Sequence, residues 1–207
     1  MPAPELTFQL IDGPPPAEHA GELQALHAEV YADPPYGLTG EDAALFAGRF
    51  RVQRRQPGFV LAEARSGDYL VGYAYGMPLR PATSWWRNLT APLPDDVTTE
   101  HPGRAFALAE LLVRAPWRRQ GIGRDLHDLI LRKRPEERAT LTATPAQNAC
   151  QQWGWRKVAH PRFPARLAPG RRADHDAPGR TRLTRRPHYR ECVNNRSGRG
   201  QTEPDLR

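Results

Sequence analysis

VRAPWRRQGIGRDLHDLIL, residues 113–131, places two closely spaced glycines among arginines immediately before a periodic apolar pattern. After Gly121 the apolar residues recur at three- and four-residue steps, the spacing of one face of an α-helix. A helix N-terminus exposes unpaired amide N–H groups and the positive end of the helix dipole, and glycines let a ligand approach that backbone closely. Arg118 and Arg119 add positive charge, and Arg124 lies in the first helical turn, where a cation is unfavourable unless an anion binds nearby. The stretch therefore predicts a phosphate-binding turn, with an ordinary glycine turn and solvated arginines as the alternative.

Hydrophobic periodicity divides the rest of the chain into strands and helices. Alternating apolar residues indicate strands, three- and four-residue steps indicate helices, and two apolar runs joined by SGD are typical of a β-hairpin. The pattern predicts a fold of the α/β class in the broad sense, with a mixed α+β order of elements and a central mixed sheet flanked by helices. In chain order the predicted elements are strand 6–11, helix 17–32, a helix from 39 to Pro57, hairpin strands 58–65 and 69–77, strand 104–113, a helix from 122 to a basic last turn at 132–134, strand 139–144, helix 145–152 and strand 155–159.

The residues around Gly121 exclude two common phosphate motifs and match a third. GIG lacks the third glycine of a dinucleotide-binding turn, and GRD lacks the Lys-Ser/Thr pair of a Walker loop. RRQGIG resembles instead the Arg/Gln-x-x-Gly-x-Gly/Ala signature of the GCN5-related N-acetyltransferase (GNAT) family, and CQQWGWRKV at 150–158 is similar to a later segment of that family. The resemblance covers residues 6–159 and implies the GNAT-like acyl-CoA N-acyltransferase fold.

The same resemblance implies how acetyl-CoA is held as the cosubstrate. Backbone amides of the turn would bind its pyrophosphate, and main-chain groups at the end of the preceding strand would pair with its pantetheine arm. The implied cofactor-binding residues are Leu112, Val113, Arg118, Arg119, Gln120, Gly121, Ile122, Gly123 and Arg124. The implied activity is transfer of an acetyl group to a primary amine of a small molecule or a peptide.

Amine acetylation needs a base, because an alkylamine with a pKa near ~10 is protonated at neutral pH. Glu110 is the candidate, since it shares a strand face with Leu112 and Arg114 and is the only acid between residues 103 and 113. A structural ion pair with an arginine is the alternative role for Glu110.

Acetyl transfer also needs an acid that protonates the departing thiolate, and Cys150 is the candidate. Family members often carry a tyrosine where this sequence has Cys150, and a thiol is a shorter proton donor than a phenol. The alternative function is therefore a catalytically impaired CoA-binding protein whose basic tail contacts nucleic acid.

The stretch 81–103 contains four prolines and no periodicity, which predicts a long loop. Its aromatic and acidic side chains suggest a lid that attracts a cationic amine. The alternative is a loop whose tryptophans cover the core. The residues concerned are Trp85, Trp86, Asp95, Asp96 and Glu100.

The last quarter of the chain differs from the rest in composition. The first 100 residues carry 13 acids and 7 arginines, whereas 12 of the 48 residues from His160 onward are arginine. We therefore predict an N-acetyltransferase domain at 1–160 that lacks the final strand of its sheet, and a tail at 161–207. The tail is predicted to be a disordered basic arm, a docking segment or the product of a shifted reading frame in GC-rich DNA, and the shifted frame is favoured.

Composition also bounds the setting of the protein. No run of eighteen apolar residues and no signal peptide is apparent, which predicts a cytoplasmic protein that does not enter a membrane. Cys150 and Cys192 have no metal-ligand spacing, so no metal is expected. The net charge of +7 comes from the tail, which makes nucleic acid an unlikely partner, and a homodimer is left open.

Overall fold

The computed structural model describes residues 5–32, 37, 40–87, 89, 91–132, 134–143, 153–159 and 190–195. Within these residues seven strands form one sheet and four α-helices are present. None of the helices described has the length and apolar character needed to cross a membrane. The elements are β1 (Leu6–Asp12), α1 (Ala17–Ala32), α2 (Gly40–Gln53), β2 (Val60–Ser66), β3 (Tyr69–Pro78), α3 (Asp95–Thr98), β4 (Ala105–Val113), α4 (Ile122–Leu131), β5 (Arg138–Ala143), β6 (Arg156–Ala159) and β7 (Arg190–Asn195).

The sheet runs in the order β1-β2-β3-β4-β5-β7-β6. The β4–β5 pair is parallel and the remaining pairs are antiparallel, so the sheet is mixed. Ser66 pairs with Tyr69, so the predicted hairpin is confirmed and its turn is only two residues long. Short connections of this kind join neighbouring antiparallel strands, whereas the parallel β4–β5 pair needs α4 as a crossover.

Helices cover both faces of the sheet, which confirms the predicted mixed α+β architecture. On one face of the sheet, α4 buries Ile122, Leu126 and Ile130, which belong to the apolar pattern predicted after Gly121. On the other face Phe46 and Phe50 of α2 and the apolar side of α1 pack on β2, β3 and β4. Leu45 is exposed, because α2 turns Phe46 and Phe50 toward the sheet.

Two predictions about helix termini need separate outcomes. The helix after Gly121 ends at Leu131, so the prediction that 132–134 form its last turn is wrong. Arg134 instead folds back onto Glu136, with its Nη2 2.7 Å from Oε1, and lies over the ring of Phe106. The capping residue predicted at Thr39 and the helix predicted at 145–152 lie outside the described residues.

The expectation that the sheet lacks its final strand is wrong. Residues Arg190–Asn195 form β7, which inserts between β5 and β6 and pairs antiparallel with both. A strand with neighbours on both sides satisfies its backbone donors and acceptors through the ladder, so it needs no alternating apolar pattern to form. The sheet therefore extends beyond residue 160, while 161–189 and 196–207 lie outside the described residues and the shifted frame stays a prediction.

Candidate active site

The site begins where β4 separates from β5. Their parallel pairing runs from Ala105 with Arg138 to Leu108 with Leu141, and beyond that point β5 continues alongside β7. The register between β3 and β4 shifts at the same place, because Tyr75 pairs with Glu110 and Gly76 with Leu108, which leaves Ala109 as a β-bulge. Within the described residues, the edge of β4 at 109–113 that faces away from β3 has no strand partner, which leaves an extended backbone open to a ligand.

The end of this open edge leads directly into the glycine turn. A single 3₁₀ turn at Ala115–Trp117 connects β4 to the turn, where Arg119 and Gly121 have positive φ values of 66° and 88°. Gly121 is the N-cap of α4 and its carbonyl accepts the amides of Arg124 and Asp125 at 2.8 and 3.1 Å. No side chain of the described residues caps this helix, which leaves the amide N–H groups at its start available to a ligand or to solvent.

The arginines of the turn have ordinary partners as well as a position near it. Arg118 donates from Nε to the Val113 carbonyl at 3.0 Å, and Arg119 is exposed. Arg124 lies 3.6 Å from the Asp128 carboxylate one helical turn later, and both side chains are more than half exposed. This exposed pair accounts for the cation at the helix start without an anion, so Arg124 alone does not indicate a phosphate.

The remaining residues predicted to bind the cofactor lie in the same turn or on the same edge. Leu112 and Ile122 bury their side chains in the core, so only their backbones are available to a ligand. Gln120 donates from Nε2 to the Pro116 carbonyl at 3.0 Å and braces the turn. A methyl group on Gly123 would make only ordinary contacts, the nearest at 3.7 Å to Leu111, so the packing of the turn itself does not require glycine there.

Glu110 occupies the other face of β4, against α1 and α2. Its side chain is only 8 % exposed, and Oε1 accepts a hydrogen bond from the Tyr31 hydroxyl at 2.7 Å. Oε2 faces the Arg49 guanidinium at 3.6 Å and His27 Nε2 at 3.9 Å, both too long for a hydrogen bond. Burial raises the pKa of Glu110 above its ordinary value, while the charge of Arg49 and the hydrogen bond from Tyr31 act in the opposite direction. The site thus holds a carboxylate with one oxygen fixed and the other available to accept a proton.

The predicted face-sharing of Glu110, Leu112 and Arg114 agrees with the structure. Leu112 packs in the cluster formed with α1 and α2, and Arg114 forms an ion pair with Glu29 of α1. Strand alternation places these three residues on one face. The bulge at Ala109 puts that face opposite to the one of Leu108, which packs against the α4 cluster. The alternative role of Glu110 as an ion-pair partner is also realised, through Arg49.

Three neighbours of Glu110 were not identified from the sequence as site residues. His27 and Tyr31 lie one turn apart on the packed face of α1; Tyr31 belongs to the apolar pattern of the predicted helix, and nothing in the sequence singles out His27. Arg49 lies at the edge of the packed face of α2, with its guanidinium over the ring of Phe46, and no motif distinguishes it from its neighbours. Only the packing of α1 and α2 on β4 brings these three side chains to one carboxylate.

His27 lies in an apolar environment beside this carboxylate. Its ring stacks on Phe46 with centroids 3.6 Å apart, and burial together with the charge of Arg49 lowers its pKa from 6.5 to about 3. His27 is therefore neutral at pH 7 and forms no ion pair with Glu110. Burial, with the charge of Glu110, also raises the pKa of Tyr73 and Tyr75, so both phenols remain protonated.

The lowered pKa of His27 makes stability depend on pH. The unfolded chain takes up this proton near pH 6.5 and the folded chain only near pH 3, so the unfolding free energy falls as pH decreases between these values. We expect His27 to contribute up to about 1.4 kcal/mol per pH unit to this slope. His27→Gln should remove that contribution in urea unfolding experiments from pH 7 to pH 4.

Phe46→Leu is the control for this prediction, because it disturbs the same ring stack and keeps the imidazole. It should lower stability at every pH and preserve the slope. A His27→Gln variant with the slope of the wild type would contradict a buried neutral imidazole.

The tryptophans of the loop at 81–103 pack against the sheet, and the acceptor-binding role of the loop stays a prediction. Trp86 is buried beside Leu79, Ala105 and Ala107, a cluster separate from the one around Glu110, and its Nε1 donates to Glu100 at 3.0 Å. Trp85 donates to the Thr140 hydroxyl at 3.2 Å. These contacts agree with the alternative, in which the tryptophans cover the core. Asp95 and Asp96 are exposed on α3, and Cys150 lies outside the described residues, so its acid role stays a prediction.

The splayed β4–β5 pair, the bulge and the uncapped glycine turn together define the class: the chain has the GNAT-like acyl-CoA N-acyltransferase fold. No family model and no curated protein matches its sequence. Solved structures do match it, with sequence identities at which the likeness shows the fold alone.

Three of these structures illustrate the likeness. A GNAT-family protein from Desulfovibrio desulfuricans aligns with a TM-score of 0.56 and 14 % identity over 92 % of this chain and 99 % of its own. The ribosomal-protein-S18-alanine N-acetyltransferase of Escherichia coli aligns with a TM-score of 0.56 and 12 % identity over 96 % and 99 %. NAA60 of Arabidopsis thaliana in complex with acetyl-CoA aligns with a TM-score of 0.55 and 13 % identity over 93 % and 100 %.

Proposed function

We propose that this protein transfers an acetyl group from acetyl-CoA to a primary amine of a small molecule or a peptide. One observation carries the proposal: among the described residues, an edge of β4 without a strand partner runs into a helix N-terminus without a side-chain cap, and the same strand presents the buried carboxylate of Glu110. The open edge matches an extended pantetheine chain, and the helix N-terminus matches a diphosphate. The carboxylate of Glu110 matches the proton acceptor that the reaction needs. The solved structure of NAA60 with acetyl-CoA, which has the same fold, supports this choice of cosubstrate.

The turn and the edge of β4 would divide the binding of acetyl-CoA between them. The free amides at the start of α4, at 121–123, would hold the pyrophosphate, since main-chain donors and the helix dipole both favour an anion there. Arg118, Arg119 and Arg124 would add charge around it, and Gln120 would keep the turn in shape. The main chain at Leu112 and Val113 would pair with the pantetheine arm along the open edge.

Glu110 would act on the amine. Oε2 accepts a proton from the ammonium form, and the neutral nitrogen attacks the thioester carbonyl to form the carbon–nitrogen bond. The nitrogen then releases its second surplus proton to solvent as the carbon–sulfur bond breaks, which leaves the amide. The open backbone of β4 offers N–H donors to the oxyanion that develops on the carbonyl oxygen. The departing thiolate takes a proton, for which Cys150 is the proposed donor. The fixed orientation of Oε1 by Tyr31 keeps the carboxylate aimed during these steps.

A direct test combines calorimetric titration of acetyl-CoA with a thiol-release assay over a panel of amines. Saturable binding and thiol release that depends on an amine are the expected results. Binding without release from any amine would favour the catalytically impaired alternative, and absence of binding would remove the proposal altogether. DNA affinity that is unchanged when the arginines at 161–189 and 196–207 are replaced by glutamine, with β7 retained, would dismiss the nucleic-acid part of that alternative.

The phosphate seat predicts a specific effect at Gly121. We expect Gly121→Asp to weaken CoA binding by roughly 10- to 100-fold in calorimetry, because a carboxylate would stand beside the donors that bind the pyrophosphate. Gly103→Asp is the matched control, because it adds the same charge at a glycine of similar backbone conformation. Gly103 has φ +82°, against +88° at Gly121, and has open space around it. Equal affinities of the two variants would contradict the seat at α4.

A further inference from the structure

Arg49 stands on the solvent side of the buried carboxylate of Glu110. Its side chain is 55 % exposed, whereas that of Glu110 is 8 % exposed, and Nη2 lies 3.6 Å from Oε2. This separation exceeds a hydrogen bond, so the guanidinium neutralises Glu110 without closing on it. Tyr75 is also a hydrogen-bond partner of Arg49, but a guanidinium has five N–H donors, and one that is more than half exposed keeps donors for a second anion.

The pair presents a positive and a negative charge side by side at the site where the amine must arrive. An α-amino acid carries the complementary arrangement, because its ammonium and its carboxylate are attached to the same carbon. Placed against the pair, the ammonium meets Oε2 of Glu110 and the carboxylate meets the Arg49 guanidinium, which binds carboxylates in a two-pronged geometry. An amine without a neighbouring anion can satisfy only Glu110.

We propose that Arg49 selects acceptors with a carboxylate beside the amine, that is, free α-amino acids, an inference that rests on the acetyl transfer proposed above. Arg49 is a binding residue in this proposal, and Glu110 remains the base. The carboxylate of the acceptor orients its nitrogen and does not take part in bond formation.

The side chains around Arg49 narrow the acceptor further. Leu45 and Val52 lie one turn before and one turn after Arg49 on α2, and both are large apolar side chains left exposed, at 53 % and 65 %. An amino acid with an apolar side chain would pack against these two exposed residues, which favours apolar amino acids as acceptors.

The test compares three acceptors that share one side chain: leucine, leucinamide and 3-methylbutylamine. Leucine and 3-methylbutylamine both have strongly basic amines, so the carboxylate is the main difference between them, and leucinamide keeps a polar group without charge. We expect the wild type to favour leucine over 3-methylbutylamine by about tenfold or more in kcat/KM, mainly through KM. Arg49→Gln should lower kcat/KM for leucine by roughly 10- to 100-fold and change that for 3-methylbutylamine only a few-fold.

The comparison between acceptors separates selection from simple charge neutralisation. An arginine that only neutralises Glu110 would, when replaced, reduce kcat/KM for all three acceptors by the same factor, and that outcome would overturn the proposal. Arg51→Gln, which removes another exposed arginine of the same helix, is the control and should keep the preference for leucine.

Binding measurements keep this inference distinct from the proposed function. Calorimetric titration of leucine and 3-methylbutylamine into the protein saturated with CoA requires no turnover. Absence of thiol release from every amine would sink the proposed function, whereas tighter binding of leucine that is lost in Arg49→Gln would still support the role of Arg49. Equal affinity for the two acceptors would overturn the inference, whether or not the protein is active.

Discussion

We expect Glu110→Gln to lower the kcat of acetyl transfer by roughly 10²- to 10⁴-fold, the usual contribution of a positioned general base. Glutamine has the shape of glutamate and still accepts the Tyr31 hydrogen bond at its amide oxygen, but it cannot take the proton of the amine. The measurement is steady-state thiol release, with the affinity for CoA determined separately.

The pH profile gives this prediction a second readout. A base must be deprotonated to act, so kcat/KM of the wild type should rise with pH through the pKa of Glu110. Because burial raises that pKa, the rise should lie above the ordinary range of a glutamate. In Glu110→Gln the part of the profile that belongs to this group should be absent.

Glu63→Gln is the matched control for Glu110→Gln. Glu63 is also a buried glutamate of the sheet, 1 % exposed, with Oε2 accepting Arg65 Nε at 2.9 Å. It lies on β2, two strands from β4, so its replacement should lower stability and leave kcat nearly unchanged. A kcat for Glu110→Gln within tenfold of the wild type, or an unchanged pH profile, would leave Glu110 only its structural ion pair.

Local sequence patterns predicted most of the fold because its elements are periodic and clearly terminated. The helix predicted at 17–32 has the observed bounds Ala17–Ala32, and the hairpin and the strand before the glycine turn also agree. Each of these elements buries apolar side chains in the core, so its sequence pattern reflects its burial. β7 has no such pattern, since pairing on both edges defines it, and the sequence alone did not reveal it.

The site could be predicted only in part, for a related reason. Glu110 and Gly121 have local signals: a single acid in an apolar strand and a glycine before a helix. Arg49 and Tyr31 become site residues only through tertiary packing, 61 and 79 positions away from Glu110 in the chain. The aromatic and acidic side chains of the loop at 81–103 predict a site for a cationic amine, whereas Trp86 is buried in the structure.

The contacts of Trp86 predict a large loss of stability at the base of the loop. Glu100 Oε1 accepts both Trp86 Nε1 at 3.0 Å and Arg138 Nη2 at 2.8 Å, and the side chains of Glu100 and Arg138 are 0 % and 9 % exposed. Arg138 also donates to the Val97 carbonyl at 2.6 Å. This network fastens the loop to the first residue of β5.

We expect Arg138→Met to lower the unfolding free energy by about 3–5 kcal/mol, because it leaves the Glu100 carboxylate buried without its cation. Adding Glu100→Gln should recover a large part of this loss, since the buried charge disappears and the amide oxygen still accepts Trp86. Urea unfolding of the wild type and of both variants measures the effect. Arg124→Met, which breaks an ion pair whose side chains are both more than half exposed, is the control and should cost much less.

The same variants decide what the loop does. If the loop only covers the core, Arg138→Met should retain the wild-type KM for the amine at a temperature where it stays folded. An acceptor-binding loop would instead lose affinity for the amine once Arg138 no longer holds it to β5. A KM for the amine raised tenfold in the folded variant would support that role of the loop. A double variant no more stable than Arg138→Met would show that the cost arises from the lost Val97 contact and not from the unpaired carboxylate, since only the first loss is common to both.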